Sequence, residues 1–384
     1  MSEPIKSQAL VSRGPFSEGQ WAIEDIVLRE IRDDEVVVEM VASGICHTDL
    51  HCGNTPADQG VPGVYYPRVL GHEGAGYIVK TGSAISGFEK GDPVLLSFSS
   101  CGACHVCEAG KPSHCTDFFN INFIGEPIAT SAASPSEEIG GRFFGQSSFA
   151  RHAIVSGKSV VNVKSLDLSR DDLKLLAPLG CGLQTGSGTV IKVAQAGPKD
   201  AIAIVGMGGV GLAAVIAARN SGCKTIIGID RLEARLELAK SLGATHVFNT
   251  TGMSGDFKEL VEGVKAAADG LGTTISIDTS AFPPLVQAQV DFSRYMGKII
   301  QVGTGMPEAY LKIHMQSFMV SAKQYFGAVQ GHSIPQEAVP QLVAWWKEGK
   351  FPVEKLVKFF DMKDFADAVK VMGNGDVVKP ILVW

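Results

Sequence analysis

A glycine-rich loop in the middle of the chain constrains the fold more than any other feature of the sequence. An apolar run at 201–205 leads directly into Gly-Met-Gly-Gly-Val-Gly at 206–211, and a helix-forming stretch follows. In such a unit the first glycine permits a tight turn, the second lets a pyrophosphate approach, and the third lets helix and strand pack closely. N–H groups at the start of the helix then bind the anion. The loop predicts a dinucleotide site that includes Gly206, Gly208, Gly209, Val210 and Gly211.

The sequence after about residue 184 alternates short apolar runs with helical stretches, which is the pattern of βαβ units. The runs predict strands at 201–205, 225–230, 246–249, 274–278, 298–302 and 325–329. The stretches between them predict helices at 210–221, 232–242, 257–268 and 284–294. Six strands in this arrangement predict one doubly wound parallel sheet of the α/β class.

The second predicted strand ends in a carboxylate. Asp230 follows Gly211 by nineteen residues, which places it to accept hydrogen bonds from the adenosine ribose. A carboxylate there would repel a 2′-phosphate, so NAD is favoured over NADP, although the neighbouring Arg231 weakens the discrimination. A glycine-rich turn beside a surface aspartate is the alternative interpretation.

The first third of the chain has a different pattern of apolar and turn-forming residues. Runs rich in β-branched residues at 26–28, 35–41, 77–79, 93–96 and 152–155 are separated by Gly, Ser and Lys. They predict a glycine-rich, barrel-like β domain. The tail after residue 331 predicts two amphipathic helices, at 336–347 and 363–372, and a strand at 381–384. We expect this tail to return and complete the first domain.

Four cysteines are concentrated in one short segment. Cys101, Cys104, Cys107 and Cys115 lie within fifteen residues. Four thiolates can close a tetrahedral zinc site that has no open position, which is the arrangement of structural zinc. An iron–sulfur cluster also uses four cysteines, but the spacing differs from the ferredoxin patterns.

A second group of metal-binding side chains is scattered along the chain. Cys46, His72 and Cys181 could together supply two thiolates and an imidazole, leaving a fourth position on zinc for water or substrate. Spacing alone cannot bring them together. Taken singly, each could equally be a buried cysteine or a hydrogen-bonded core histidine.

Composition excludes several kinds of partner. The net charge is −6 and there is no run of Lys or Arg, so we expect no nucleic-acid partner. The uncharged stretch 201–218 is long enough to suggest a membrane span, but its four glycines argue against one. Eight cysteines and an amino terminus without a secretory pattern favour a cytoplasmic protein.

Taken together, these motifs resemble the zinc-containing medium-chain alcohol dehydrogenase family, from about residue 9 to residue 384. Gly71, His72 and Glu73, followed by Gly76 and Gly82, match the family's zinc signature. The four-cysteine segment matches its structural zinc loop, and 206–211 matches its cofactor loop. The resemblance implies two zinc ions per subunit. It assigns the catalytic zinc to Cys46, His72 and Cys181, and the structural zinc to the four clustered cysteines.

The resemblance also implies a domain arrangement and a substrate class. A Rossmann domain at 184–329 is expected to be inserted into a GroES-like β-barrel catalytic domain made of 1–183 and 330–384. The subunits are expected to form a homodimer or homotetramer through the Rossmann sheet. The segment 143–150 is similar to the branch that oxidises benzylic and allylic alcohols. The implied reaction is hydride transfer between a primary aryl or allylic alcohol and NAD.

Several catalytic roles follow from the same resemblance. Thr48 would contact the alcohol, and His51 would pass its proton to solvent. Asp49 would orient His72, and Glu73 would approach the metal during ligand exchange.

Three further residues match cofactor-contacting positions of the family. Arg235 would contact the adenosine ribose, and Lys379 would contact the pyrophosphate. His47 stands where several members carry arginine, which predicts a weaker pyrophosphate contact and faster release of NADH. Two alternatives remain open: a glutathione-dependent hydroxymethyl dehydrogenase of the same family, and a non-catalytic protein that binds zinc and nucleotide.

Overall fold

The chain builds one unit, passes into a second, and then returns to the first. The computed structural model describes residues 3–57, 64–305 and 308–384. The first unit, called here the barrel unit, comprises Met1–Cys181 and Ile334–Trp384, and the second, called the sheet unit, comprises Gly182–Ser333. The chain passes from the barrel unit to the sheet unit between residues 181 and 182 and returns between residues 333 and 334. The sequence predicted these boundaries at 183/184 and 329/330.

The first part of the barrel unit contains mainly short strands. In chain order they are β1 Lys6–Ser12, β2 Trp21–Leu28, β3 Glu35–Gly44, β4 Arg68–Val69, β5 Gly74–Thr81, β6 Pro93–Leu96, β7 Glu126–Ser131, β8 Glu138–Gly141, β9 His152–Ser156 and β10 Val160–Asn162. Three α-helices lie among and after them in the described residues: α1 His47–Gly53, α2 His105–Glu108 and α3 Arg170–Leu176. Strands β1, β2, β7, β8 and β4 form a closed barrel.

The sheet unit is a parallel α/β layer. Its strands are β11 Ala201–Val205, β12 Thr225–Asp230, β13 His246–Asn249, β14 Thr273–Asp278, β15 Ser293–Gln301 and β16 Gln324–Gly327. Its helices are α4 Gly182–Gly188, α5 Gly209–Asn220, α6 Glu233–Leu242, α7 Lys258–Ala267, α8 Pro283–Phe292 and α9 Met315–Ser321. The strand order β13-β12-β11-β14-β15-β16 reverses direction between β11 and β14. Ligands of such sheets bind at that reversal, outside the carboxyl ends of the strands.

The tail completes the barrel unit. It contributes α10 Pro335–Lys347, β17 Val357–Asp361, α11 Phe365–Gly373 and β18 Lys379–Val383. Strand β18 pairs with both β17 and β3, so the end of the chain joins the sheet β10-β6-β5-β3-β18-β17. The long strand β3 is buried on both faces except at Glu39, as its nearly continuous apolar sequence predicts.

The structure differs from the sequence expectations at several places in the sheet unit, including α4, which was not predicted, and the bounds of β15 and β16. Helix α8 ends at Phe292, two residues before the predicted end, because β15 already begins at Ser293. Helix α9 was not predicted. The uncharged stretch 201–218 divides into β11 and most of α5, and no helix in the described part of the chain is long and apolar enough to cross a membrane.

A buried carboxylate at the start of β3 holds several segments of the barrel unit together. Glu35 accepts two hydrogen bonds of 2.8 Å from Arg29 and one of 2.9 Å from Arg142. The backbone N–H of Arg32 donates a further hydrogen bond of 2.8 Å. Burial alone would raise the pKa of Glu35, but these donors hold the pKa below its ordinary value.

Replacing Glu35 with alanine should destabilise the fold by about 3 kcal/mol, because Arg29 and Arg142 lose their fully buried carboxylate partner and keep only Glu126. Since the pKa of Glu35 is lower in the folded than in the unfolded chain, this stabilisation is present above the unfolded pKa. It is lost as the pH falls through the folded pKa. Thermal unfolding measured at about pH 7 should therefore show a much lower stability of the variant than of wild type. At about pH 3 the difference in stability should be smaller.

Glu89→Ala is the matched control, because Glu89 is 81% exposed and pairs with Lys164 on the surface. Such a pair contributes about 0–1 kcal/mol. Equal destabilisation by the two substitutions would contradict the assigned role of Glu35.

Candidate metal and dinucleotide sites

Three distant side chains converge in the barrel unit. Cys46 precedes α1, His72 lies between β4 and β5, and Cys181 is the last residue of the unit's first part. Their ligand atoms and a carboxylate oxygen of Glu73 all lie within 4.8 Å of one another. His72 Nε2 is 3.1 Å from Cys181 Sγ. Two sulfurs and one imidazole nitrogen, from the three side chains that the resemblance assigned to the catalytic zinc, therefore lie around a common point.

Asp49 determines how His72 faces that point. Its carboxylate accepts hydrogen bonds from the backbone N–H of Cys46 at 2.9 Å and of Gly71 at 3.1 Å. Asp49 Oδ1 also lies 2.8 Å from His72 Nδ1, and both side chains are fully buried. A proton on Nδ1 that is donated to Asp49 leaves the Nε2 lone pair directed at the metal point.

Replacing Asp49 with asparagine should weaken zinc binding at this point by about 10–100-fold, because an amide carries no charge and has one acceptor oxygen for the three N–H groups that now meet two. Competition with a chelator of known affinity measures the change. Asp34→Asn is the control, since Asp34 is exposed in the same unit. Unchanged zinc affinity in Asp49→Asn would contradict the assigned role.

The electrostatics of the cluster favour a divalent cation. A hydrogen bond from Cys181 lowers the pKa of Cys46 well below its ordinary value, and the charge of Lys379 acts in the same direction. Burial lowers the pKa of His72, but the carboxylate of Asp49 outweighs it and raises that pKa to about 10. A metal ion that binds here displaces the protons which the sulfurs and the imidazole otherwise share.

Glu73 and Lys379 form a buried ion pair beside the cluster. Lys379 Nζ donates to Glu73 Oε1 at 2.8 Å and to the carbonyl of Ile45 at 3.0 Å, and only 4% of the lysine is exposed. The sequence predicted a contact between Lys379 and the cofactor pyrophosphate. In the structure this ammonium pairs with Glu73, because a buried carboxylate requires a cation, and the pyrophosphate contact stays a prediction. Glu73 Oε2 has no hydrogen-bond partner among the described residues.

Helix α1 carries the remaining predicted catalytic side chains. Thr48 Oγ1 lies 3.7 Å from Cys46 Sγ, next to the metal point. His51 is one turn further along the helix and is exposed. Residues three apart lie on the same side of a helix, so a path from Thr48 toward solvent through His51 is geometrically open. His47, the first residue of α1, is exposed as well.

Aromatic rings enclose the imidazole of His72. The ring of Phe144 stacks on it with centroids 4.3 Å apart, and Phe143 approaches edge-on at 5.4 Å. Phe118 and Phe123 in turn pack against Phe144. The metal point therefore has an apolar, aromatic surround.

Gln146 is a positioning residue that the sequence reasoning missed. Its amide nitrogen donates to the carbonyls of His72 and Ser97, at 2.9 and 3.0 Å, and its oxygen accepts from the N–H of Gly74. This buried amide ties the segment that carries His72 to the end of β6. Its position within 143–150 was the only sequence signal that could have pointed to it.

The four clustered cysteines form a second metal-binding arrangement around α2. The sulfurs of Cys101, Cys104, Cys107 and Cys115 all lie within 4.8 Å of one another. Backbone N–H groups approach the sulfur of Cys101 at 3.3 and 3.4 Å. Further N–H groups, from Thr116 and Cys107, lower the pKa of Cys104 to about 5. Four sulfurs that are all supplied by the protein suit a closed structural site.

The glycine loop of the sheet unit has the geometry that a pyrophosphate requires. Gly206 adopts φ +90°, which favours glycine, at the end of β11. A Cβ at Gly211 would lie 1.8 Å from the carbonyl oxygen of Gly206, so helix and loop could not pack with a larger residue. A Cβ at Gly208 would meet nothing within 4 Å, which leaves space above the loop. Gly209 and Val210 form the first turn of α5.

Asp230 supports this loop as well as standing at the end of β12. Its Oδ2 accepts the N–H of Met207 at 2.6 Å, and its Oδ1 accepts the N–H groups of Arg231 and Leu232 at 2.7 and 2.9 Å. One acceptor position on Oδ2 remains for a ribose hydroxyl. Arg235 lies in α6 and is buried.

Comparison with known families agrees with this geometry. Residues 32–165 match the alcohol dehydrogenase GroES-like domain, and residues 209–348 match the zinc-binding dehydrogenase domain. The chain belongs to the zinc-containing medium-chain alcohol dehydrogenase family and is an alcohol dehydrogenase. The predicted family and the predicted fold, a Rossmann sheet inserted into a GroES-like barrel domain, are confirmed.

Individual relatives are similar along the whole chain. Geraniol dehydrogenase of Castellaniella defragrans is 35% identical over 99% of this chain and 98% of its own length. The crystal structure of benzyl alcohol dehydrogenase from Acinetobacter calcoaceticus gives a TM-score of 0.88 at 34% identity, covering 99% of both chains. That of an alcohol dehydrogenase zinc-binding domain protein from Burkholderia ambifaria gives 0.91 at 33%, also covering 99% of both.

Proposed function

We propose that this alcohol dehydrogenase transfers hydride between a primary aryl or allylic alcohol and NAD at a zinc ion held by Cys46, His72 and Cys181. The observation that carries the proposal is the convergence of these three side chains on one buried point. Two thiolates and one imidazole are a zinc donor set that leaves a fourth position open. Glu73 also lies beside this point and pairs with Lys379 through Oε1, and we assign the fourth position to water or substrate rather than to this carboxylate.

When bound, zinc supplies a Lewis acid that stabilises an alkoxide and polarises an aldehyde carbonyl. The chain's own residues supply the remaining functions. Asp49 fixes the imidazole, and the hydroxyl of Thr48 lies where it can accept the proton of the alcohol. His51, exposed one turn further along α1, can then pass that proton to solvent.

The preference for aryl or allylic alcohols is supported by the aromatic surround of His72. Phe143 and Phe144 contact that imidazole, so a planar, unsaturated substrate would pack against rings rather than polar groups. Geraniol and benzyl alcohol, named for two of the relatives, belong to these two classes.

NAD is the cofactor that the loop supports best. The carboxylate of Asp230 leaves an acceptor for a ribose hydroxyl and would repel a 2′-phosphate. Zinc thiolates need reduced cysteines, and eight cysteines in this chain favour a cytoplasmic location, where thiols are kept reduced.

We further propose that the protein is a homodimer or homotetramer through the sheet unit. Strand β16 lies at one edge of the sheet, and α9 just before it exposes Met315, Met319 and Val320, at 85, 71 and 57%. A second copy would cover both the edge and these side chains. Sedimentation should show an oligomer that Met319→Glu dissociates, and a monomeric wild type would contradict the proposal.

A substrate panel with zinc-replete protein tests the proposed reaction. Formation of NADH from cinnamyl, benzyl and geranyl alcohols should exceed that from ethanol by at least about tenfold in kcat/KM. With NADP in place of NAD as hydride acceptor, the rate should be much lower. Preference for S-hydroxymethyl-glutathione would replace the substrate proposal, and silence with every alcohol despite bound zinc and NAD would indicate a protein that has lost catalysis.

A further inference from the structure

A buried carboxylate stands at the carboxyl edge of the parallel sheet, outside the residues that the mechanism uses. Asp278 is the last residue of β14 and is fully buried. It pairs laterally with Val205 at the end of β11 and with Gln301 at the end of β15. It therefore lies at the point where the strand order reverses, next to the glycine loop.

All recorded contacts of this carboxylate with the described residues come from neutral donors. Gln301 Nε2 donates at 2.6 Å, the N–H of Ala281 at 2.8 Å and the hydroxyl of Ser280 at 2.8 Å. The amide of Gln289 approaches at 3.4 Å, and no Lys, Arg or His of the described chain forms an ion pair with Asp278. The negative charge is satisfied by hydrogen bonds but is not neutralised.

The same network holds the ends of three strands. Tyr325 of β16 donates to Gln301 Oε1 at 2.9 Å, and the N–H groups of Val302 and Gly303 donate to the carbonyl of Asp278. The next residue, Thr279, donates its hydroxyl to the carbonyl of Gly206 at 3.0 Å. Asp278 is thus linked to the first glycine of the loop through its neighbour Thr279.

In a doubly wound sheet, one half of the dinucleotide lies over each set of strands. The loop at 206–211 and Asp230 belong to the half formed by β11, β12 and β13. The half formed by β14, β15 and β16 is therefore left for the nicotinamide. The oxidised nicotinamide ring carries a positive charge, and the reduced ring carries none. A buried, unneutralised carboxylate on this side attracts only the oxidised form.

We propose that Asp278 sets the redox-state preference of the cofactor site by stabilising bound NAD⁺ relative to bound NADH. This inference rests on the proposed use of NAD.

The test compares the Kd values of NAD⁺, NADH and ADP-ribose for zinc-replete wild type and Asp278→Asn. The substitution should raise the Kd of NAD⁺ by about tenfold relative to the Kd of NADH. ADP-ribose, which lacks nicotinamide, should bind both proteins alike. Asp291→Asn is the matched control, because Asp291 is exposed in the same unit. It should leave the NAD⁺/NADH ratio unchanged.

If Asp278→Asn does not fold, Gln301→Lys gives an independent answer by placing an ammonium beside an intact Asp278. This variant should also raise the Kd of NAD⁺ relative to the Kd of NADH. A ratio that is unchanged in the folded variants, or equal weakening of NAD⁺ and NADH, would overturn the inference. Wild type that binds neither ADP-ribose nor NAD(H) would instead remove the proposed cofactor itself.

Discussion

Replacing Cys46 with serine should remove one of two zinc ions per chain and lower the turnover of an aryl alcohol by about a thousandfold or more. A serine hydroxyl is a poor zinc ligand at neutral pH, and the remaining sulfur and imidazole cannot hold the ion alone. Elemental analysis of the purified variant gives the zinc content, and NADH formation gives the turnover. The proposed NAD site should be retained, since its residues belong to the sheet unit.

Cys52→Ser is the matched control for this prediction. Cys52 lies on the same helix, but burial raises its pKa to about 12, so it stays a thiol, and it is not among the clustered metal-binding atoms. This control should keep both zinc ions and most of the activity. Loss of zinc from Cys52→Ser, or two retained zinc ions in Cys46→Ser, would contradict the assignment of the catalytic ligands.

Replacing Cys104 with serine should remove the other zinc ion and lower the thermal unfolding midpoint by about 10 °C or more. Four sulfurs hold the segment between Cys101 and Cys115, which contains the short helix α2 and one turn of 3-10 helix at Pro112–His114 and therefore has little core of its own. Without the ion this segment loses its main source of order. Calorimetry together with zinc analysis measures both effects.

The catalytic zinc should remain in Cys104→Ser, because the two clusters share no ligand. Cys223→Ser is the control, since burial raises the pKa of Cys223 to about 11 and it lies in the sheet unit, outside both clusters. An unfolding midpoint as high in Cys104→Ser as in this control would show that the segment folds without metal.

The sheet unit was largely predictable because its strands are apolar runs of ordinary length between helical stretches. The ends of β11, β12 and β13 agree with the predicted ranges. Helix α9 was not predictable from periodicity, because its large apolar residues face outward instead of toward a core. Strands β7 and β8 were missed because their segment contains several polar residues and no clear alternation.

The candidate metal site could be predicted only in part. The spacing of the four clustered cysteines predicted a metal site. In contrast, His72 and Cys181 are 109 residues apart, and no local pattern links them. Their assignment came from the resemblance. The position of Lys379 had no sequence signal, because a lysine is usually exposed and its partner Glu73 lies 306 residues away.

The same limit explains why the sequence did not predict a functional role for Asp278. An aspartate at the end of a strand is common in turns and at surfaces, where it would be solvated. Only the packing of Gln301, Tyr325 and Gln289 around it shows that the carboxylate is buried without a cation. The register of parallel strands, which brings these residues to one edge, is set by tertiary pairing.

X-ray diffraction from crystals of the zinc-replete protein, measured on both sides of the zinc absorption edge, tests the central claim most directly. We expect two anomalous peaks per chain. One should lie among the four clustered cysteines, and the other should be bound by Cys46 Sγ, His72 Nε2 and Cys181 Sγ with a non-protein atom as the fourth ligand. A single peak at the four cysteines, or a second zinc enclosed by four protein ligands, would contradict the account.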